Sequence, residues 1–275
     1  MGKKWYQICK PISKRFFESP KILIPDISQT GGFALDNVGF YCIHTIYIVT
    51  PKDEYKSKLN FLLGLLNSSV VDFYFKQVGS YLGKKGYRYQ KQYLDTIPIC
   101  LPQTKSEQDL ADEITKKVEQ ILEQVKLEQQ IENFPEGYIQ EYRSKGEEFD
   151  SIKISFNSNH KAIEPVIEKN ITGRGYNIVI GKKEKPVFVE SEIKANYVVT
   201  ALKGKSAKKE EKKQLLIPKS DAIVEEILKK LEEDKAKTKS PSVAELEEEI
   251  NELVYELYGL NEDDVKVIDD FLRRF

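Results

Sequence analysis

Leu59, Leu62, Leu63, Leu66, Val70 and Phe73 recur at three- and four-residue steps, a period that predicts a helix with a buried face over residues 58–75. Asn67-Ser68-Ser69 interrupts its middle with side chains that compete for backbone hydrogen bonds, which marks a break or a close packing contact. Ahead of it the pattern is that of strands. Residues 21–28, KILIPDIS, are β-rich, with Pro25 arguing for an edge strand or a bend, and Thr30-Gly31-Gly32 marks the turn that follows. Residues 40–50 are dense in β-branched and aromatic side chains and read as a largely buried strand. His44, inside it, reads as a satisfied core histidine, because no second histidine or acid cluster lies near it in sequence. Residues 93–101 read as a short strand or extended segment that Pro98 and Pro102 keep out of a sheet centre.

From Ser106 the period changes. Leu110, Ile114, Val118, Ile121 and Val125 step by four, four, three and four, which predicts a long helix with a narrow apolar seam that stops before Pro135. Thr104 or Ser106 can cap its start, with Glu107 or Asp109 three residues on. Residues 136–202 form a second β-rich region with strands expected at 152–156, 176–180, 186–190 and 197–202, punctuated by Gly173-Arg174-Gly175 and Gly181-Lys182-Lys183. Residues 203–213, KGKSAKKEEKK, bury too little apolar surface to order themselves and read as a mobile loop or linker. A shorter helix over 220–233 and a linker over 235–241 lead to Ser242-Val-Ala-Glu245, a capping box opening a helix seamed by Leu246, Ile250, Leu253 and Leu257. Gly259 ends it, and Asn261 caps a last helix carrying Val265, Ile268, Phe271 and Leu272. The two seamed helices most simply pack as an antiparallel hairpin, with the β-rich part between them as an excursion.

Composition narrows the chemistry. The three cysteines, Cys9, Cys42 and Cys100, show no CxxC spacing, and with only His44 and His160 there is no plausible zinc ligand set, so a reduced, cytoplasmic protein is expected. No apolar run approaches the roughly 20 residues of a bilayer span, and the N-terminus has neither a signal-peptide core nor a myristoylation pattern. Trp5-Tyr6 follow the start so closely that a beginning inside a longer polypeptide is expected. The near balance of 43 basic and 44 acidic residues hides an asymmetry. Residues 1–100 hold 14 Lys and Arg against 7 Asp and Glu, while residues 101–275 hold 29 against 37, so an anionic partner is expected on the first part.

The candidate chemistry lies in the loop over residues 79–92. Lys84, Lys85, Arg88 and Lys91 alternate with Tyr81, Tyr87, Tyr89 and Tyr93, and Gly83 and Gly86 let a backbone approach closely. The cations would neutralise phosphates, while Gln90, Gln92, Tyr87 and Tyr89 would reach base edges or stack. Lys14 and Arg15, with Ser28-Gln29-Thr30, are second-line candidates for phosphate or base contacts. The bland reading of the same residues is a solvated basic loop. Asp26 with Glu190-Ser-Glu192-Ile-Lys194 has the residue types of a nuclease metal site, but the acid is remote in sequence and Glu-x-Lys is common in lysine-rich chains. Ser68 and Ser69 have no histidine placed to activate them as nucleophiles.

Five blocks in order carry a family resemblance: KILIPDIS at 21–28, Phe33-Ala-Leu-Asp36, Gly39-Phe40-Tyr41, residues 62–75 around Leu66-Asn67-Ser68, and Tyr93-Leu-Asp-Thr-Ile-Pro-Ile99. Together they resemble the TaqI-like C-terminal specificity domain, the target-recognition part of adenine-N6 DNA methyltransferases and fused type II restriction-modification enzymes, over residues 5–132. Residues 250–260 are similar to the tail of larger members. The resemblance implies a β-helix-like recognition domain backed by a helical hairpin, with double-stranded DNA and a methyltransferase catalytic domain, in cis or in trans, as partners. It also implies that S-adenosylmethionine and an Asn/Asp-Pro-Pro-Tyr motif for a flipped adenine belong to that separate domain. Neither that motif nor a Gly-rich cofactor loop occurs in this sequence.

The expected architecture is α+β. A DNA target-recognition domain occupies residues 1–103, the long hairpin helix 104–134, a second small β-rich region 135–203, and a charged linker with C-terminal helices 204–275. The expected function is non-catalytic DNA sequence recognition. The alternatives are a protein-interaction scaffold built on the helical seams and a metal-dependent nuclease using Glu190 or Glu192.

Overall fold

Pro25 divides the first β-rich run between two sheets in the computed structural model, which describes residues 13–42, 45–171 and 173–274. His44, and with it the core-histidine reading, lies outside the described residues, as do Cys9 and Trp5-Tyr6. A short helix α1 (Lys14–Glu18) leads into β1 (Lys21–Pro25), and past Asp26 the chain continues as β2 (Ile27–Ser28) in a different sheet. β3 (Ala34–Asp36) and β4 (Ile46–Val49) pair antiparallel on either side of β1. β3 reaches only Lys21 to Leu23, so by Pro25 the strand is an edge on that side, where a residue lacking an N–H is tolerated. Among the described residues of the strand expected over 40–50, 46–49 pair. Asp36 accepts the amides of Val38, Gly39 and Phe40 and turns the chain outward, which leaves Phe40 and Tyr41 exposed.

The apolar run expected as one helix is two, α2 (Leu59–Leu66) and α3 (Ser69–Val78), separated by Asn67-Ser68. Ser68 caps α3 by accepting the Val71 amide, and the Asn67 amide group bonds both the N–H and the carbonyl of Phe33, at 2.9 and 3.0 Å. Then follow β5 (Ser80–Tyr81), β6 (Tyr87–Arg88), a one-turn helix α4 (Lys91–Leu94) where an extended segment was expected to begin, and the long α5 (Lys105–Glu132). α5 opens on a capping box: Thr104 Oγ1 accepts the Glu107 amide, and Glu107 accepts the amides of Gln103 and Thr104.

The second compact unit, Glu123–Ser242, has its own core. It contains α6 (Glu136–Ser144), β7 (Phe149–Ser155), β8 (Val166–Lys169), β9 (Tyr176–Val179), β10 (Val187–Val189), α7 (Glu192–Leu202), β11 (Lys212–Pro218) and α8 (Asp221–Lys237). β8, β9 and β10 form one antiparallel sheet, and β7 pairs with β11 along seven residues. Residues 197–202, expected as a strand, are helical. Ser191 caps α7 by accepting the Lys194 amide, and Ala195, Val198, Ala201 and Leu202 bury one helical face, so capping and burial override β propensity. Residues 203–213 are ordered rather than a free linker. Backbone bonds join Ala207 to His160, Glu211 to Phe156 and Lys205 to Ile163, Ala207 is buried, and β11 begins at Lys212.

The first unit, Met1–Leu122 with Val243–Phe275, is completed by α9 (Val243–Leu257) and α10 (Glu262–Leu272). Asn261 and Asp264 form the capping box of α10. Ala111, Ile114 and Val118 of α5 share a core with Ile250 and Val254 of α9, Phe75 of α3 and Ile22 of β1, and Lys117 of α5 pairs with Glu249 of α9. α2 enters this core at Gly64, where a Cβ would lie 2.8 Å from Ile114 and 3.0 Å from Val118, so only glycine allows the approach. All described sheets are small and antiparallel, and the architecture is α+β. Among the described residues no helix is long and apolar enough to cross a membrane.

Candidate nucleic-acid interface

The basic loop is a hairpin. β5 and β6 pair through Ser80–Arg88 and Tyr81–Tyr87, and β2 adds to the other side of β6 through Ile27–Arg88 and Ser28–Tyr87. At the tip the Leu82 amide donates to the Gly86 carbonyl and the Gly86 amide to the Gly83 carbonyl, which puts Lys84 and Lys85 on a tight turn, both exposed. Gly86 is required: its φ is +95°, and a Cβ there would stand 2.3 Å from the Ser28 carbonyl oxygen. The close approach that this glycine permits is therefore to the chain's own β2.

Strand alternation sorts the aromatic residues. Tyr87 and Tyr89 point inward at 4% and 1% exposure, and Tyr89 stacks on Phe75 at 4.1 Å and packs T-shaped against Phe33 at 5.3 Å. Burial, with Asp72 and Tyr87 nearby, pushes the Tyr89 hydroxyl well above its ordinary range. Both rings, expected to stack on or reach bases, are core side chains. Arg88 faces the other way, and its Nε donates to Asp26 Oδ1 at 3.2 Å while about half of its side chain stays exposed.

The β2 turn joins the same surface. Gln29 Nε2 donates to the Lys84 carbonyl at 3.2 Å, and Thr30 beside it is exposed. Asn67, through its two bonds to Phe33, fixes the far side of that turn. Lys91 and Gln92 follow on α4, both exposed, with Lys91 paired to Asp95 one turn on. Lys14 and Arg15 belong to a different neighbourhood. Lys14 pairs with Glu18 on α1 at 2.9 Å, and Arg15 lines a cleft of about 210 Å³ with Thr50, Pro51, Asp53 and Lys56.

Two residues outside the expected set stand beside the tip. Tyr81 is 60% exposed with its ring 5.1 Å from that of Tyr87, and Ile27 is 40% exposed. The tyrosine alternation was readable, but which tyrosine stays outside depends on β5 being the sheet edge. Asp26, from the nuclease reading, pairs with Arg88; Glu190 lies 3.6 Å from Lys194 in the second unit. Among the described residues, no three His, Cys, Asp or Glu side chains come together to hold a metal ion.

Comparison with known proteins places the hairpin in a family context. Residues 2–99 match the TaqI-like C-terminal specificity domain. The Type II methyltransferase M.BstVI of Geobacillus stearothermophilus is 30% identical over 101 residues, which is 37% of this chain and 18% of that protein. The Type II methyltransferase M.BanIII of Aneurinibacillus aneurinilyticus is 30% identical over 138 residues, 48% of this chain and 23% of that protein. The chain thus matches less than a quarter of the length of either relative. Over residues 2–99, which hold α1, the described strands of the first unit and the hairpin, the chain is a match to the TaqI-like C-terminal specificity domain, the family that its sequence blocks resemble.

Proposed function

We propose that this chain is the DNA-reading part of a restriction-modification adenine-N6 methyltransferase, and that it docks duplex DNA through the β5–β6 hairpin and positions a separate catalytic domain. The observation that carries the reading is the hairpin tip, where Lys84 and Lys85 are exposed on a turn held by Gly86 and Gln29 within the family-matched segment. Neither lysine has a carboxylate within ion-pair distance among the described residues, so both are available to phosphates. Arg88, Gln29, Thr30 and Tyr81 flank them as contacts to backbone or base edges, and Lys91 and Gln92 extend the surface along α4. Lys14 and Arg15 are second-line phosphate contacts from α1.

Catalysis and S-adenosylmethionine belong, in this reading, to a methyltransferase domain in cis or in trans. The relatives are methyltransferases by name and extend far beyond the matched segment. The β-helix-like arrangement comes from the resemblance, whereas the described pairings are antiparallel. The scaffold reading has less support: of the seam residues, Ile114, Val118, Ile250 and Leu257 are buried in the chain's own core, while Val125 stays exposed.

The test is fluorescence anisotropy with random-sequence duplex DNA over a salt series, comparing the chain with Lys84→Ala/Lys85→Ala. At about 0.9 per phosphate contact, the slope of log K against log salt is expected to fall by roughly 2. An unchanged slope would remove the hairpin tip from the interface.

A further inference from the structure

Glu184 ties its own loop of the second unit to residues 157–160, and that second loop in turn holds a third. Its buried carboxylate accepts the amides of Asn157 at 2.6 Å and Ser158 at 3.1 Å and the Ser158 hydroxyl at 2.5 Å, with His160 Nε2 at 2.9 Å. Asn157 Nδ2 donates to the Lys183 carbonyl at 2.8 Å. His160 and Ala207 exchange backbone bonds at 2.8 and 2.9 Å, and the Lys209 amide donates to Asn159 Oδ1 at 2.7 Å. Residues 157–161, 181–185 and 205–211 therefore form one continuous, hydrogen-bonded surface. The Ser–His–Glu group inside it is structural. The serine proton goes to the glutamate, and one ring nitrogen faces both partners, so the nucleophile–base–orienter order of a hydrolase is absent.

That surface is cationic. Lys161, Lys182, Lys183, Lys185, Lys208 and Lys209 are all exposed, and none has a carboxylate within ion-pair distance among the described residues. Other lysines of the same loops are used internally: Lys205 donates to the Phe134 carbonyl, and Lys213 to the Ser206 carbonyl, with Glu211 3.6 Å away. Of the nearby acids, Glu184 is buried under its donors, Glu211 accepts the Lys208 amide at 2.7 Å and faces Lys213, and Glu164 and Glu210 are exposed. Six exposed ammonium groups without an ion-pair partner among the described residues stand on these hydrogen-bonded loops, in a part of the sequence that is acidic overall.

We propose that this surface is a second docking site for duplex DNA, gripping the phosphate backbone without reading sequence. Ammonium groups are point charges suited to phosphates, and the site has no arginine fork for base edges. Its only aromatic side chain is the mostly covered His160, so it offers no stacking platform for single strands. Its apolar residue Ala207 and the adjoining Ile163 are buried, so nothing would insert into a lipid surface. The proposal rests on the DNA-binding reading above and extends it to the unit that the family match does not cover.

The experiment is the same duplex titration with all six lysines changed to Gln, with all six changed to Arg, and with Lys84→Ala/Lys85→Ala. The Gln variant is expected to lower the salt slope by about 3 to 5, while the Arg variant keeps it. A Gln variant with the parent slope overturns the proposal, and so does binding to phosphatidylserine vesicles without binding to duplex. If the Gln variant lowers the slope and the Lys84→Ala/Lys85→Ala variant does not, the second site stands and the hairpin reading falls. The reverse result removes the second site alone.

Discussion

Lys21 is fully buried at the start of β1 and forms an ion pair with Asp36 of β3, whose carboxylate also takes three backbone amides. Burial by itself would raise the Asp36 carboxyl, but the Lys21 ammonium and those amides hold it below the usual range. Lys21→Met leaves that charge buried without its counter-ion and is expected to destabilise the first unit by about 3–5 kcal/mol, seen as a lower urea midpoint. Lys21→Met/Asp36→Leu should recover only part of this, because the three amides lose their acceptor. Glu184 is the corresponding residue of the second unit. Burial would raise its carboxyl, yet Ser158, the Asn157 amide and His160 bring it down to about 2. A depressed folded-state value contributes stability above the ordinary 4.5 that is lost as pH falls through about 2. Glu184→Gln is expected to cost roughly 2 kcal/mol at neutral pH and to flatten the loss of stability between those two values, measured by urea unfolding at several pH values. Lys21 and Asp36 stood in separate sequence blocks. That they meet is a fact of strand register.

Period was a sound guide to elements wherever one face is buried and a cap is local. α5 starts on the Thr104–Glu107 box and stops before Pro135, and α10 starts on Asn261, each as its own residues require. The errors arose where partners come from afar. Residues 203–213 look too polar to order, yet they are held by residues 156–163, some fifty positions earlier in the chain. Residues 197–202 have strand-like composition but sit behind the Ser191 cap. The hairpin was legible as a Gly-punctuated basic turn, whereas its inward and outward faces were not, because register decides them. Gly86→Ala tests that register: it meets both a positive φ and the Ser28 carbonyl, and should cost about 1–3 kcal/mol or more and shift the β2–β6 amide resonances.

The described residues form two hydrophobic cores, one around Leu65, Phe75 and Val254 and one around Ile178, Tyr197 and Ile227. Differential scanning calorimetry is expected to depart from a single two-state transition, with Lys21→Met lowering one component and Glu184→Gln the other. One merged transition shifted alike by both variants would contradict this. Residues 1–100 carry the basic excess, and Lys84 and Lys85 of the hairpin tip lie among them. The count of charge by halves concealed the six-lysine surface, because the acids of residues 101–275 fall largely on helices elsewhere while the lysines gather on three loops. The sequence by itself determined the helices with local caps, the Gly-punctuated loop that carries Lys84 and Lys85, and the resemblance of residues 2–99 to the TaqI-like C-terminal specificity domain, since each depends on neighbours a few positions apart or on blocks in a set order. Only the tertiary structure decided that Tyr87 and Tyr89 are core, that Asn67 clamps the Phe33 turn, and that Glu184 holds the loop at residues 157–160. Burial, register and long-range hydrogen bonds join residues whose separation along the chain carries no trace of their contact.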